Sequence, residues 1–238
     1  MLKKILWFFV QQFFKVYFSI VGKPTLPANL KKTLSLYEDN SFFDLFSLIR
    51  AWDAPFSEVN KLVPKKGLCY DLGCGDGTQS NFLALSSDQR KIVGIELNGE
   101  RVIEADKGVK NTRFQKGNIL KVEYKKANAF VLTHVLHHLP TKNDQIKLLK
   151  LIKPSLKKDG KVIIVEIIRK PFLKYVFTWI TDAFIVPILF EHSLHDFNFH
   201  YRSLEDWKSI LDSLGYKYKI SFPHSGKPFS HVIIECTL

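Results

Sequence analysis

Apolar positions along this chain follow two rhythms, one helical at the start and one alternating between strand and helix afterwards. Over residues 1–22 the helical rhythm holds. At ~100° per residue, Phe9, Phe13, Val16, Tyr17 and Ile20 share one side, and Lys4, Gln11, Gln12, Lys15 and Ser19 occupy about a third of the circumference opposite. Gly22, Pro24 and Pro27 stop this helix. Residues 23–62 read as a helical cap, with Phe42, Phe43, Leu45, Phe46, Leu48, Ile49 and Trp52 as its apolar positions. From Val63 to the C-terminus the pattern predicts strands over 68–71, 91–96, 112–115, 127–133, 161–168, 216–222 and 231–237. Helices are predicted over 78–86, 99–106, 142–156 and 203–214, the last closed by Gly215. This alternation specifies an α/β domain built on a doubly wound, seven-stranded, mostly parallel sheet, preceded by N-terminal helices. An apolar insertion after the fifth strand, about 170–201, is too long for a simple connection. In such a sheet it projects at the carboxyl edge, where ligands bind.

Composition changes this picture in two respects. The 238 residues are 46% hydrophobic and 24% charged, a globular balance, and their formal charge of +12 favours acidic partners such as anionic lipid or nucleic acid. Three cysteines, Cys69, Cys74 and Cys236, form no pair with metal-ligand spacing and read as free thiols of a reducing, cytoplasmic compartment. The opening helix is too interrupted by Gln11, Gln12 and Lys15 for a transmembrane span, and no signal-cleavage site follows it. Two readings of it stay open: a helix lying peripherally on the inner, anionic face of a membrane, or a lid packed on the domain itself.

The chemistry concentrates at the carboxyl ends of the predicted strands. Asp71-Leu72-Gly73-Cys74-Gly75-Asp76-Gly77 follows the first strand, with the spacing Asp-x-Gly-x-Gly-x-Gly. Glycines at that spacing let the backbone approach a ligand, and the next helix points its N-terminus at the bound group. Glu96 ends the second strand, where a carboxylate can hold both hydroxyls of a ribose. A dinucleotide loop has different glycine spacing, and Asp71 would repel a pyrophosphate while suiting a ligand that carries an ammonium group.

From Val63 onward the chain resembles class I (Rossmann-like) S-adenosylmethionine-dependent methyltransferases of the small-molecule and lipid type. The glycine loop is similar to the family's first motif. Glu96 and Leu97 resemble its ribose and adenine contacts, and Gly117-Asn118-Ile119 its third motif, with Asn118 where the family usually has Asp. Thr133-His134-Val135-Leu136-His137-His138-Leu139-Pro140 resembles the fourth-strand motif, Leu156 to Glu166 the entry to the fifth strand, and Tyr201 to Trp207 the start of the last helix. The resemblance implies S-adenosylmethionine as cofactor, contacted by Asp71, Gly73, Cys74, Gly75, Gly77, Glu96, Leu97, Asn118, Ile119 and Thr133. It brings His134, His137, His138, Glu166 and Arg169 near the transferred methyl. His134, Glu166 and His137 are the catalytic candidates, and Arg169, His200 and Tyr201 the substrate-binding ones. Tyr37 and Arg50 are candidates for the cofactor's carboxylate.

His192, His195 and His200, with Glu191 and Asp196, cluster in the insertion but lack the spacing of a metal site, so no metal is assigned. The Thr-His-Val-Leu-His-His motif differs from the Asn/Asp/Ser-Pro-Pro-Tyr type used on exocyclic amines, and a nucleic-acid substrate is disfavoured. The apolar helix and insertion suit a hydrophobic or lipid-like acceptor taken up at a membrane surface. The alternatives are a soluble polar metabolite, with the apolar segments as lid or dimer interface, and a basic RNA methyltransferase. The oligomeric state stays open.

Overall fold

A computed structural model describes residues 2–22, 25–37, 54–181, 183, 199–223 and 229–238. Phe42 to Trp52, Arg50, Glu191, His192, His195 and Asp196 lie outside the described residues.

The first helix, α1 (Leu2–Val21), is followed by α2 (Ala28–Leu34) with a 3-10 turn at Ser35–Tyr37, and by α3 (Phe56–Leu62). The sheet then begins: β1 (Gly67–Leu72), α4 (Thr78–Leu85), β2 (Arg90–Glu96), α5 (Gly99–Ala105), β3 (Thr112–Lys116) and β4 (Ala127–Thr133). After α6 (Lys142–Ile152) come β5 (Leu156–Ile167), α7 (Phe172–Ile180), α8 (Leu204–Ser213), β6 (Lys217–Ser221) and β7 (His231–Thr237). The seven strands lie in the order β3-β2-β1-β4-β5-β7-β6. β1 to β5 pair in parallel, and β7 runs antiparallel to both its neighbours. The doubly wound, mostly parallel sheet expected from the sequence is therefore present. The carboxyl ends of β1, β2, β4 and β5 share one edge, and the antiparallel β7 brings its first residue, His231, to that same edge beside Ile167.

Alternation along the strands sorts the core into two layers. Leu72, Ile95, Phe130, Leu132, Val162, Ile164, Val232 and Ile234 pack on one side against Leu148, Leu149 and Ile152 of α6 and Trp207 and Leu211 of α8. Cys69, Ile92, Ala129, Val131, Ile163, Val165 and Ile233 pack on the other side against Val59 of α3 and Leu83 and Ala84 of α4. Leu30, Leu34 and Phe56 add a small layer on Phe82 of α4, which docks the N-terminal cap beside the glycine loop. Arg90 is fully buried, and its guanidinium closes the carbonyls of Asn60, Val63, Pro64 and Leu83, so this charge serves the fold.

Two boundaries differ from the sequence pattern by more than one residue. The helix expected to reach Leu156 stops at Ile152, where Pro154 turns the chain into a 3-10 turn over Lys153–Ser155. The strand expected to begin at Lys161 begins at Leu156, which pairs with Ala127. The register then shifts between Ala127 and Ala129, so Lys157 to Gly160 bulge out of the strand.

The opening helix forms over the expected span but is seated on a different side. Phe18 is buried against Phe229, with Phe14 and Tyr17 beside it. Phe9, Phe13, Val16 and Ile20, the wide apolar side, face solvent. Phe9 and Phe18 lie about half a turn apart at ~100° per residue, so the helix is held from behind and shows its apolar face outward.

Candidate active site

The cofactor end is built by β1, the loop after it and β2. Asp71, next to last in β1, is almost fully buried, and its Oδ2 accepts from the Ser80 hydroxyl at 2.6 Å, which fixes the carboxylate at the root of the loop. Gly73, Gly75 and Gly77 all take left-handed torsions, with φ of 68°, 55° and 75°. They serve different ends. A Cβ on Gly73 would meet Val135 Cγ2 at 2.3 Å and one on Gly77 would meet Ala105 Cβ at 2.6 Å, whereas one on Gly75 would approach only Arg101 Nη1 at 3.9 Å. Gly73 and Gly77 thus permit packing, and Gly75 borders open space on the ligand side. Gly73 and Cys74 donate their amides to the Ile95 carbonyl at 2.8 and 3.1 Å, locking the loop onto β2.

Glu96 closes the cradle. Its Oε2 accepts the Gly75 amide at 3.0 Å and its Oε1 the Asn98 amide at 2.9 Å, which orients both oxygens and leaves each with acceptor capacity for a hydroxyl. Leu97 beside it is exposed. Asn118 uses its Oδ1 to accept the Leu120 amide at 2.9 Å, so its Nδ2 is the end with donors to offer. Ile119 is buried in the main core. Tyr37 reaches the loop from the cap: its hydroxyl donates to the Asp76 carbonyl at 2.9 Å and accepts from Asn81 Nδ2 at 2.7 Å. Gln79, in the first turn of α4, is buried with neither end of its amide bonded among the described residues. Burial and the nearby carboxylates push the Cys74 thiol far up, so it acts as a small apolar packing group. An open, glycine-lined hollow beside an oriented carboxylate and a buried Asp fits an adenosyl ligand with an amino-acid tail.

A second cluster of polar residues is built by the ends of β4, β5 and β7. Thr133 ends β4 with its hydroxyl buried and unbonded among the described residues. His134 follows with φ 54°, the one non-glycine left-handed residue among the described residues, and its amide donates to the Val165 carbonyl at 2.9 Å. Such a torsion on a non-glycine residue is strained and persists where the surroundings impose it. The His134 ring lies 4.3 Å from that of His231, which stacks flat on Phe229 at 5.4 Å.

Behind His134 stands Glu166, fully buried, accepting the Leu136 amide at 2.8 Å and hydrogen-bonded to His137 Nδ1 at 2.6 Å. Burial raises Glu166 to about 7, against the pull of His134 and His138, and lowers His137 to about 3. His137 is therefore a neutral imidazole held against Glu166, with Tyr201 packed on it at 4.8 Å. Gln145 ties the Leu136 and His200 carbonyls at 3.0 and 2.8 Å, and His200 Nε2 bonds the Pro140 carbonyl at 2.7 Å. Arg169 is exposed and donates to the Tyr201 carbonyl at 3.1 Å.

The expected site residues thus divide. His134, Glu166 and His137 come together at one edge, facing the glycine loop's side of the sheet, and Arg169, His200 and Tyr201 form a bracket around them. Of these, Tyr201 is buried. His231 was not among the sequence candidates. Its one signal is a histidine opening a strand that continues with Val232, Ile233 and Ile234. Among the described residues no group of three or more His, Cys, Asp or Glu could hold a metal ion.

Comparison with known proteins bears on this geometry. Residues 70–164 match the profile of the family described as "Methyltransferase domain". A carboxy-S-adenosyl-L-methionine synthase of Helicobacter pylori (strain G27) is 36% identical over 107 residues, covering 42% of this chain and 44% of that protein. A protein-lysine N-methyltransferase of Saccharolobus islandicus (strain REY15A) is 33% identical over 108 residues, covering 42% of this chain and 59% of that one. The chain thus spans about half the length of these curated relatives. Among solved structures, the plantazolicin methyltransferase BpumL, in complex with a monoazolic desmethylPZN analogue and SAH, superposes with a TM-score of 0.61. It is 14% identical, and the match covers 87% of this chain and 94% of that one. Residues 70–164 are thus similar to a methyltransferase domain, and the seven-stranded sheet around them has the Rossmann-like fold of S-adenosylmethionine-dependent methyltransferases.

Proposed function

We propose that this chain transfers a methyl group from S-adenosylmethionine to a small, hydrophobic or lipid-like acceptor met at a membrane surface. The observation that carries the acceptor reading is α7. It follows the carboxyl end of β5, packs Phe177 on Phe229, whose ring neighbour His231 touches His134, and exposes Phe172, Leu173, Phe177 and Ile180. A polar acceptor needs no such surface at the mouth of its site.

When bound, S-adenosylmethionine supplies a methyl already activated by its sulfonium. The chain's part is to hold and orient. Glu96 would grip the ribose hydroxyls, the Gly75 region would admit the adenosyl backbone, and Asp71 with the Tyr37-braced loop would face the charged tail. His134 is the residue positioned to accept a proton from an acceptor hydroxyl or amine. Glu166 and His137 act behind it, fixing the backbone at Leu136 and the left-handed turn at His134. Excluding water falls to the aromatic bracket of Tyr175, Phe199 and Tyr201, whose rings lie 5.4 to 5.6 Å apart.

The likeness to a carboxy-S-adenosyl-L-methionine synthase favours a second reading, a soluble polar metabolite as acceptor. One assay separates the two. Purified chain is given methyl-labelled S-adenosylmethionine with a lipid extract and, separately, with the aqueous metabolite fraction. Label in the organic phase, lost in His134→Ala, is the expected result. Label confined to aqueous products, to protein or to RNA would overturn the hydrophobic-acceptor reading.

A further inference from the structure

Thirteen large hydrophobic side chains are exposed among the described residues, and nine of them lie on two helices: five on α1 and four on α7. Ile20 is 78% exposed, Leu173 82% and Phe172 69%. Single exposed apolar residues are ordinary, but concentrations of this kind mark an interaction surface.

Both helices are anchored on one residue. Phe18 of α1 packs on Phe229 from one side, and the ring of Phe177 of α7 lies 5.6 Å from it. Ser230, next in the chain, donates its amide to Thr178 Oγ1 of α7 at 3.3 Å. Phe229 in turn stacks on His231, whose ring touches that of His134 at a tilt. The two apolar helices are therefore built around a single aromatic pivot, two rings removed from the residue proposed to meet the acceptor.

Charge selects the occupant. The stretch 2–21 carries Lys3, Lys4 and Lys15 and no acidic residue. The approach to α7 carries Arg169 and Lys170, and α7 itself has no acidic residue. Lys15, Arg169 and Lys170 are exposed. A second copy of the chain docked through this face would bring like charges together. An anionic bilayer supplies both halves of what the face lacks, apolar depth for the rings and headgroup charge for the cations. Among the described residues no helix is long and apolar enough to cross a membrane, and a helix of 20 residues held from behind by Phe18 suits lying in the plane of the interface instead.

We infer that α1 and α7 form one composite docking face for an anionic bilayer, pivoted on Phe229. Docking sets the acceptor mouth against the lipid. This deepens the proposed membrane-surface function and rests on it only for what passes through the mouth, since docking is read without turnover.

The test is co-sedimentation of the full chain with vesicles of phosphatidylcholine alone and of phosphatidylcholine with about a quarter phosphatidylglycerol. The protein should pellet with the anionic vesicles and be largely released at high salt. Phe13→Glu on α1 and Leu173→Glu on α7 should each weaken binding about tenfold, by placing a charge in the apolar layer and adding repulsion. Both variants should keep the thermal midpoint and S-adenosylhomocysteine affinity of the parent, which separates lost docking from lost folding. Failure to pellet with anionic vesicles would overturn the inference. So would Leu173→Glu binding as well as the parent, which would leave α1 acting alone. A concentration-dependent dimer that both variants abolish, without vesicle binding, would assign the face to a second copy. Docking together with label confined to aqueous products would retain the inference and remove the lipid-like acceptor.

Discussion

Glu166 and His137 bury one hydrogen bond of 2.6 Å between two groups that titrate in opposite senses. Burial raises Glu166 from 4.5 to about 7 and lowers His137 from 6.5 to about 3. A raised acid favours the fold at low pH and loses that contribution as pH rises through about 7. A lowered base favours the fold above about 6.5 and loses that contribution as pH falls through about 3. Between about pH 4.5 and 6.5 the folded pair carries one proton on Glu166 and the unfolded pair one on His137, so the two slopes cancel. Glu166→Gln keeps the shape and an acceptor for the Leu136 amide but removes one of the slopes. Its stability should fall from about pH 6.5 downward, where the parent's holds to about 4.5. Denaturant titrations of both chains across that range check this; superimposable profiles would contradict it. His134 offers a second test. Its left-handed torsion costs roughly 1–2 kcal/mol, and its ring contact with His231 returns about 0.5–1.5 kcal/mol. His134→Gly should therefore change stability by less than about 1 kcal/mol while abolishing methyl transfer. A large loss of stability with activity retained would make His134 a packing residue only.

At the scale of elements, the strands and the glycine loop were legible because two local signals coincide, period-two alternation and glycine spacing. β4 and β7 fall on the expected residues, and the turn at Gly73, Gly75 and Gly77 uses the torsions only glycine adopts freely. β5 was misjudged at its start because Lys157 to Gly160 has turn composition, while the pairing of Leu156 with Ala127 is tertiary. His231 was missed for a related reason. Only the antiparallel insertion of β7 beside β5 carries it to the edge where His134 lies. The seating of α1 was not legible either, since its wheel identifies an apolar side without saying what Phe18 docks against. Caps act at this scale too. Ser203 accepts the Asp206 amide and Asp206 the Ser203 amide, a reciprocal box that starts α8. Ser203→Ala should cost about 1 kcal/mol. Because α8 stands away from the glycine loop, S-adenosylhomocysteine affinity should be unchanged, read by thermal shift with and without ligand. Tyr37→Phe removes the hydroxyl between Asp76 and Asn81, so it should do the reverse, loosening the loop and weakening ligand affinity several-fold.

At the scale of the whole molecule, a doubly wound sheet collects three groups of residues on one edge. The β1 and β2 ends hold the cofactor cradle, the β4, β5 and β7 ends hold the imidazole and carboxylate cluster, and the helices around Phe229 present an apolar, basic face. The excess of twelve positive charges matters here as a long-range attraction to anionic surfaces, one that salt weakens. Everything downstream depends on the cradle binding an adenosyl ligand through Glu96. Isothermal titration of S-adenosylhomocysteine into the parent chain and into Glu96→Ala tests that most directly. One site should fill in the parent, and the variant should bind about ten- to hundredfold more weakly, the equivalent of one lost charge-assisted hydrogen-bond pair. No binding to the parent, or equal binding to both, would contradict the account.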